Sequence, residues 1–292
     1  MHRIDAYYIN LATAHDRRAR LEQSFRDSGF SSNWTLSRFE ALTPASQQVM
    51  EREGTGCATE KVKANYLSHI ECLRLSKQTD NHALIVEDDT IFCDKTEQLL
   101  NNVIASLPED SWDLIFTDIY VSDALVMPKL LKTRDKCLKT GQIVITNAAA
   151  WEGSWGGAAS YLVNRNAKDK IADLLDMDPL QNAYDMVVRH FVSHQALRAI
   201  IVYPFLTTIS AEADKSLVRD AGADPAELIL YHYFRKLVWI GAENNPESVA
   251  QMSAEIKELT DRWLTHRMKD EAVALGAILA PLMSCQMTWN DY

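Results

Sequence analysis

The segment Ala83-Leu84-Ile85-Val86 runs directly into Glu87-Asp88-Asp89. An unbroken apolar run of this length, bounded by polar residues, reads as a strand covered on both faces, since a half-exposed strand would alternate. Three successive carboxylates end it abruptly and predict a solvent-open strand end. A strand buried on both faces needs helices above and below its sheet, which points to a layered α/β domain.

The neighbouring segments supply the other layers. Ala6-Tyr7-Tyr8-Ile9-Asn10-Leu11 reads as a buried opening strand, and Asp16 to Phe25 as an amphipathic helix with Leu21 and Phe25 four apart, closed by Gly29. Ser37 to Leu42 reads as a second strand, stopped at Thr43-Pro44, and Lys63 to Lys77 as a helix. Trp112 to Asp118 repeats the pattern of an apolar strand ending in an acid. A Gly-rich turn at Ser154 to Gly157 leads into another apolar strand through Val163. Leu99 to Leu107, Ala167 to Leu175 and Ala183 to Val192 are expected helices, and Ala199 to Tyr203 a late strand stopped by Pro204.

After about Asp220 the pattern changes, and from Pro225 onward the chain reads as wholly helical. Val249, Met252, Ile256, Leu259 and Trp263 form a narrow apolar seam that either packs on the preceding helix or pairs two copies of the chain. The expected division is a domain over residues 1–220 and a helical appendage over 221–292.

Composition narrows the function. The formal net charge of −10 and the lack of a basic run argue against nucleic acid as a partner. Five scattered cysteines, Cys57, Cys72, Cys93, Cys137 and Cys285, form no CxxC pair and read as free thiols of the cytosol. Met-His-Arg-Ile-Asp opens no signal peptide. The apolar run Ala272 to Met283 is too short to span a bilayer, so the expected place is the cytoplasm, with peripheral association at the inner membrane surface left open.

In open α/β sheets ligands gather beyond the carboxyl ends of the strands. Glu87-Asp88-Asp89 at such an end suits a hard divalent cation, which prefers carboxylate oxygens and can bridge diphosphate oxygens. Three acids are also at home at a solvated strand end or a helix N-terminus. Asp118, one strand later, is expected to face the same cleft. Asp185 starts an apolar helix, where an isolated acid is more often a first-turn residue than a catalyst. His190 and His194 are four apart, yet Phe191 and the lack of further ligands argue against a zinc site.

Several of these segments, in order, resemble glycosyltransferase family 25, which includes bacterial lipo-oligosaccharide and animal collagen galactosyltransferases. Tyr8-Ile9-Asn10-Leu11 with Arg17-Arg18 is similar to the family's opening signature, and Arg38-Phe39-Glu40-Ala41 to its next strand. Tyr66-Leu67-Ser68-His69 and Leu84-Ile85-Val86-Glu87-Asp88-Asp89 resemble its "LSH" helix and its variant of the DxD motif. Gly157 with Tyr161-Leu162, then Asp185, Pro204 and Ser216, follow the family order. Ala64-Asn65 departs from the family's usual Gly-Cys.

The resemblance implies a GT-A fold, with a Rossmann-like mixed sheet, over about residues 4–220. It implies a metal-dependent transfer, inverting at the anomeric centre, of a hexose such as galactose from a UDP-sugar to a hydroxyl of a glycan acceptor such as lipo-oligosaccharide. In that reading Asn10, Leu11, Arg17 and His69 hold the nucleotide. Glu87 and Asp88 contact the ribose or tune the metal, Asp89 with Glu87 binds Mn²⁺ or Mg²⁺, and Asp185, then Asp118, is the general base. A non-catalytic glycan or nucleotide-sugar binding module of the same fold is the alternative.

Overall fold

The computed structural model describes residues 2–52, 56–123, 126–151, 153–210 and 232–242. The seam Val249 to Trp263 and nearly all of the expected appendage lie outside the described residues.

The chain opens with β1 (Ile4–Asn10), α1 (His15–Asp27), β2 (Trp34–Glu40) and the short α2 (Gln47–Met50). There follow α3 (Glu60–Ser76), β3 (His82–Glu87), β4 (Thr90–Ile91) and α4 (Thr96–Ser106). Next come β5 (Leu114–Val121), α5 (Met127–Thr140), β6 (Val144–Asn147) and β7 (Trp155–Val163). The last are α6 (Lys168–Asp176), α7 (Tyr184–Ser193), β8 (Ala199–Tyr203) and β9 (Thr208–Ile209).

Seven strands form one sheet in the order β2-β1-β3-β7-β5-β8-β6, and β4 pairs with β9 in a small second sheet. β1 is parallel to both β2 and β3, and β5 is parallel to β8. β7 is antiparallel to β3 and β5, and β6 is antiparallel to β8. The layered α/β expectation therefore holds, with a mixed sheet in which β7 and β6 run against the rest.

Burial follows the predicted patterning. Ala83, Leu84, Ile85 and Val86 are all at 0% exposure. One apolar cluster lies on each face of the sheet: Ile85 packs with α3 residues Tyr66, Ile70 and Leu73, and Leu84 and Val86 pack with α4 residues Leu100, Val103 and Ile104. Complete burial of a side chain of that size stabilises by ~1.5–3 kcal/mol, enough to fix which residues of β3 stay inside.

Two features depart from the sequence reading, and one described stretch lies past its 220/221 division. α5 and β6 fall in a stretch for which the sequence predicted no element. β5 runs three residues past Asp118 to Val121, so Asp118 is inside a strand rather than at its end. Residues 232–242, on the far side of the 220/221 division, are anchored in the core. Phe234, Leu237 and Val238 join one main cluster and Ile240 the other. The Phe205 amide donates to the Val238 carbonyl at 3.2 Å, and the Ile240 amide to the Phe205 carbonyl at 2.8 Å.

Candidate active site

Parallel pairing of β1 and β3 sets Ile9 opposite Glu87, so both strands end at the same level and release Asn10 and Asp88 side by side. The Asn10 amide donates to Asp88 Oδ2 at 2.8 Å and to the Ala14 carbonyl at 3.1 Å, tying the strand end to the start of α1. Arg17, in the first turns of α1, donates to Asp88 Oδ1 at 2.9 Å. Arg38 of β2 donates from Nε to Asn10 Oδ1 at 3.0 Å and from its guanidinium to the Asn10 carbonyl at 3.1 Å. Both Asp88 oxygens are thereby held, each by a charged or amide donor.

Glu87 is held from the other side. Asn65 donates to its Oε1 at 3.3 Å, and His69 Nε2 lies 3.4 Å from the same oxygen. His69 is fully buried; its Nδ1 is 2.9 Å from the Tyr161 hydroxyl and its ring stacks on Tyr184 with centroids 4.2 Å apart. Burial opposes ionisation of Glu87, but the bonds from His69 and Asn65 and the field of Arg235 hold its carboxyl below the usual range.

Asp89 is the unsatisfied member. Its side chain is 12% exposed, its Oδ1 has no hydrogen-bond partner, and Arg17 stands 3.9 Å from its Oδ2. Its backbone is pinned, because its carbonyl accepts from the Ser210 amide at 2.7 Å. Burial, together with the charges of Glu87 and Asp88, pushes its pKa up to about 7.

Two hollows meet at this turn. One, of about 330 Å³, has an apolar wall of Leu11, Ala41, Leu42 and Pro44 and a polar end at Asn65 and Glu87. The other, of about 450 Å³, runs along α1 past Arg20 and Ser24 to Ser210. Arg17, Asp88 and Asp89 line both. Neither hollow is lined by Asp118 or Asp185.

Asp118 is 1% exposed and forks onto Arg235, which is 4% exposed; Arg235 Nε donates to Oδ1 at 2.9 Å and Nη2 donates to Oδ2. Burial lifts its pKa and Arg235 pulls it back. The expectation that Asp118 opens onto the cleft is corrected: β5 continues past it through two register shifts against β7, so the side chain stays inside. Asp185 is half-buried in the first turn of α7, and its Oδ2 accepts from the Gly157 amide at 2.7 Å. Gly157 has φ +83°, and a Cβ there would stand 3.1 Å from the Tyr120 ring, so this turn of β7 is closed to larger residues.

Of the residues expected at the nucleotide, Asn10 and Arg17 are turned onto Asp88, Leu11 lines the smaller hollow, and His69 reaches the cleft only through Glu87. Asn65, where the chain departs from the family pattern, supplies a hydrogen bond to Glu87. Arg235 was not visible as a site residue, because nothing near it in the sequence marks it as different from a surface arginine. Among the described residues, no group of three or more His, Cys, Asp and Glu side chains is arranged to hold a metal by itself. His190, in the last turn of α7, contacts His194 just past its end, where His194 Nδ1 lies 2.9 Å from the His190 carbonyl.

Residues 3–188 match the model of glycosyltransferase family 25, described as LPS biosynthesis protein. The chain is also similar to a crystal structure of residues 1–349 of S. aureus TarS, at 11% identity and TM-score 0.34, over 93% of this chain and 69% of that one. A second S. aureus TarS structure gives 10% identity and TM-score 0.34, over 94% of this chain and 43% of that one. Likenesses this distant decide nothing about activity. No curated protein matches the chain.

Proposed function

Because the chain belongs to glycosyltransferase family 25, we propose that it transfers a hexose from a UDP-sugar to a hydroxyl of a glycan acceptor, in a metal-dependent, inverting reaction on a GT-A fold. The observation that carries the metal dependence is Asp89. A buried carboxylate oxygen with no partner, at a strand end where two hollows meet, is the kind of group a cation satisfies. The donor set fits Mg²⁺ or Mn²⁺, which commonly take one or two carboxylates and complete their shell with water and substrate phosphate.

Asp89 would hold the cation, with Glu87 beside it. When bound, the cation would neutralise the charge developing on the departing nucleotide diphosphate. Asn10 and Arg17 keep Asp88 fixed and so hold the turn that presents Asp89. Leu11, Leu42 and Pro44 offer an apolar wall for the flat base, while Asn65 at the same hollow can serve its polar edge or the ribose.

The acceptor hydroxyl must lose a proton as it attacks. Asp185 is the better base: it is half-buried in the first turn of α7, and its other oxygen is not fixed by the bond to Gly157. Asp118 would have to break a buried ion pair first. No helix among the described residues is long and apolar enough to cross a membrane. We place the reaction at the cytoplasmic face of the inner membrane, on a lipo-oligosaccharide-type acceptor. The test is a screen of UDP-sugars for UDP release, with Mn²⁺ and with EDTA. Release that depends on one donor and stops in EDTA supports the reading; full release in EDTA overturns the metal dependence.

A further inference from the structure

We propose that the outer face of α5 is a docking surface for an anionic lipid bilayer, with a row of four lysines meeting the phosphate headgroups. Docking there deepens the reading of an acceptor at the inner membrane face and rests on that reading for its purpose alone.

Five of the fourteen residues of α5 are basic, Lys129, Lys132, Arg134, Lys136 and Lys139, and one, Asp135, is acidic, in a chain of net charge −10. The helix sorts them. Arg134 is buried with Met127, Leu130, Leu131 and Cys137, while all four lysines are exposed. Positions i, i+3, i+7 and i+10 share one side of a helix, so the lysines form a row about 15 Å long. In the sequence they make no run, and only the helix gathers them. Asp135 lies 4.0 Å from the Arg134 guanidinium. No carboxylate among the described residues pairs with the ammonium groups of Lys129, Lys136 or Lys139.

The shape of this surface selects its partner. A small anion needs a concave site, and the hollows beside the acidic turn and between α1 and β2 are lined by no residue of α5. A row of cations on a convex helix suits an extended anionic plane. Two exposed aliphatic side chains follow along the chain: Leu138, beside Lys139 in the last turn, is 37% exposed, and Ile145, on β6, is 36% exposed. Aliphatic groups among lysines suit the boundary between headgroups and hydrocarbon, whereas a nucleic-acid backbone offers them nothing. Screening confines the repulsion from the chain's other acids to about 8 Å at physiological salt, which leaves the local charge of α5 to act on what it touches.

The experiment is co-sedimentation of the full chain with vesicles of phosphatidylglycerol and phosphatidylcholine, and of phosphatidylcholine alone, at about 0.1 M and about 0.5 M salt. The wild type is expected to sediment with the anionic vesicles only, and to be released at the higher salt. Lys129→Gln/Lys136→Gln/Lys139→Gln lowers the partition coefficient by roughly 10², about five-fold per lysine. Lys129→Arg/Lys136→Arg/Lys139→Arg keeps the charge and retains binding, which separates charge from any change in fold. Absence of wild-type binding overturns the proposal, and so does binding that the glutamine variant retains. Tighter binding to duplex DNA than to the anionic vesicles at the lower salt also overturns it and makes the row a nucleic-acid surface. UDP release in solution, without vesicles, is expected to be the same in the glutamine variant and the wild type. If the wild type releases no UDP from any donor, the proposed transfer fails while the vesicle measurements still decide α5.

Discussion

β3 and β5 share one sequence pattern, an apolar run with an acid at its end, and the fold treats the two acids in opposite ways. On β3 the run Ala83 to Val86 ends with its parallel neighbour β1, and Asp88 and Asp89 come out at the junction of two hollows. On β5 the strand itself keeps going to Val121, so Asp118 is paired opposite Ser160 and sealed against Arg235. The difference teaches that an acid after an apolar run marks a site only where its own strand stops with it, since β7 borders both strands and runs on past both acids' level.

The comparison breaks if the two acids respond alike to truncation. Asp118→Ala strands Arg235 in the interior and is expected to cost ~3–5 kcal/mol in urea unfolding. Asp89→Ala removes a charge that burial and its neighbours already disfavour, and should leave the unfolding midpoint unchanged or raised at pH 8. Equal losses in the two variants would mean that Asp118 is not held as a buried pair.

In turnover the ranking reverses. Asp89→Asn should lower kcat/KM for the UDP-sugar by at least ~10³, about 4 kcal/mol, since the carboxylate that would hold the cation is gone. Steady-state rates with Mn²⁺ in excess check it, and activity within a few-fold of wild type would move the cation elsewhere. Asp185→Asn comes next. The amide oxygen can still accept from Gly157, so the turn is kept while the base is lost, and kcat should fall by ~10² with donor KM held. Asp118→Asn, assayed on the fraction that folds, should retain more turnover than Asp185→Asn; the opposite order would exchange their roles.

Much of the layered fold was legible, because β1, α3, β3 and β7 announce themselves through uninterrupted apolar runs or helical spacing. α5 was not: its buried face includes Arg134 and Cys137 beside Leu130 and Leu131, and a helix whose inward side holds a guanidinium reads as polar. β6 is a four-residue edge strand with Ile145 exposed, and β4 and β9 are two residues each, too short for any period to show. At the site, the acidic turn was readable from its position after β3. The partners of its members were not, because Asn10 with Asp88, His69 with Glu87 and Arg235 with Asp118 are pairings across 78, 18 and 117 residues that only the topology creates.

The amino ends of the same two strands carry the contrast over to pH. Just before β5, Asp113 is buried and charged; burial opposes its ionisation, but Arg198 and Lys170 hold its carboxyl below the usual range. At the start of β3, His82 is buried and neutral: Nδ1 accepts from the Arg165 amide at 3.1 Å, Nε2 has no partner, and the ring lies against Trp112. Burial, with His2, Arg165 and Lys168 adding to it against a small opposing pull from Glu109, lowers its pKa to about 4. The unfolded imidazole takes a proton near pH 6.5 and the folded one does not, so the unfolded chain binds more protons between those values and stability falls as pH drops through that window. For Asp113 the folded carboxylate is the one with the lowered pKa, so its contribution is lost only below about pH 3.9. The two windows barely overlap. Asp89, with its raised pKa, works in the opposite sense over the whole of the His82 range, so the difference between wild type and His82→Asn is the quantity to measure. Asparagine keeps an acceptor for the Arg165 amide and cannot titrate. The stability of wild type relative to the variant should decline by about 2 kcal/mol between pH 7 and pH 5. A difference that stays flat across that interval would show that His82 is protonated in the folded chain, and that the amino end of β3 holds charge as that of β5 does.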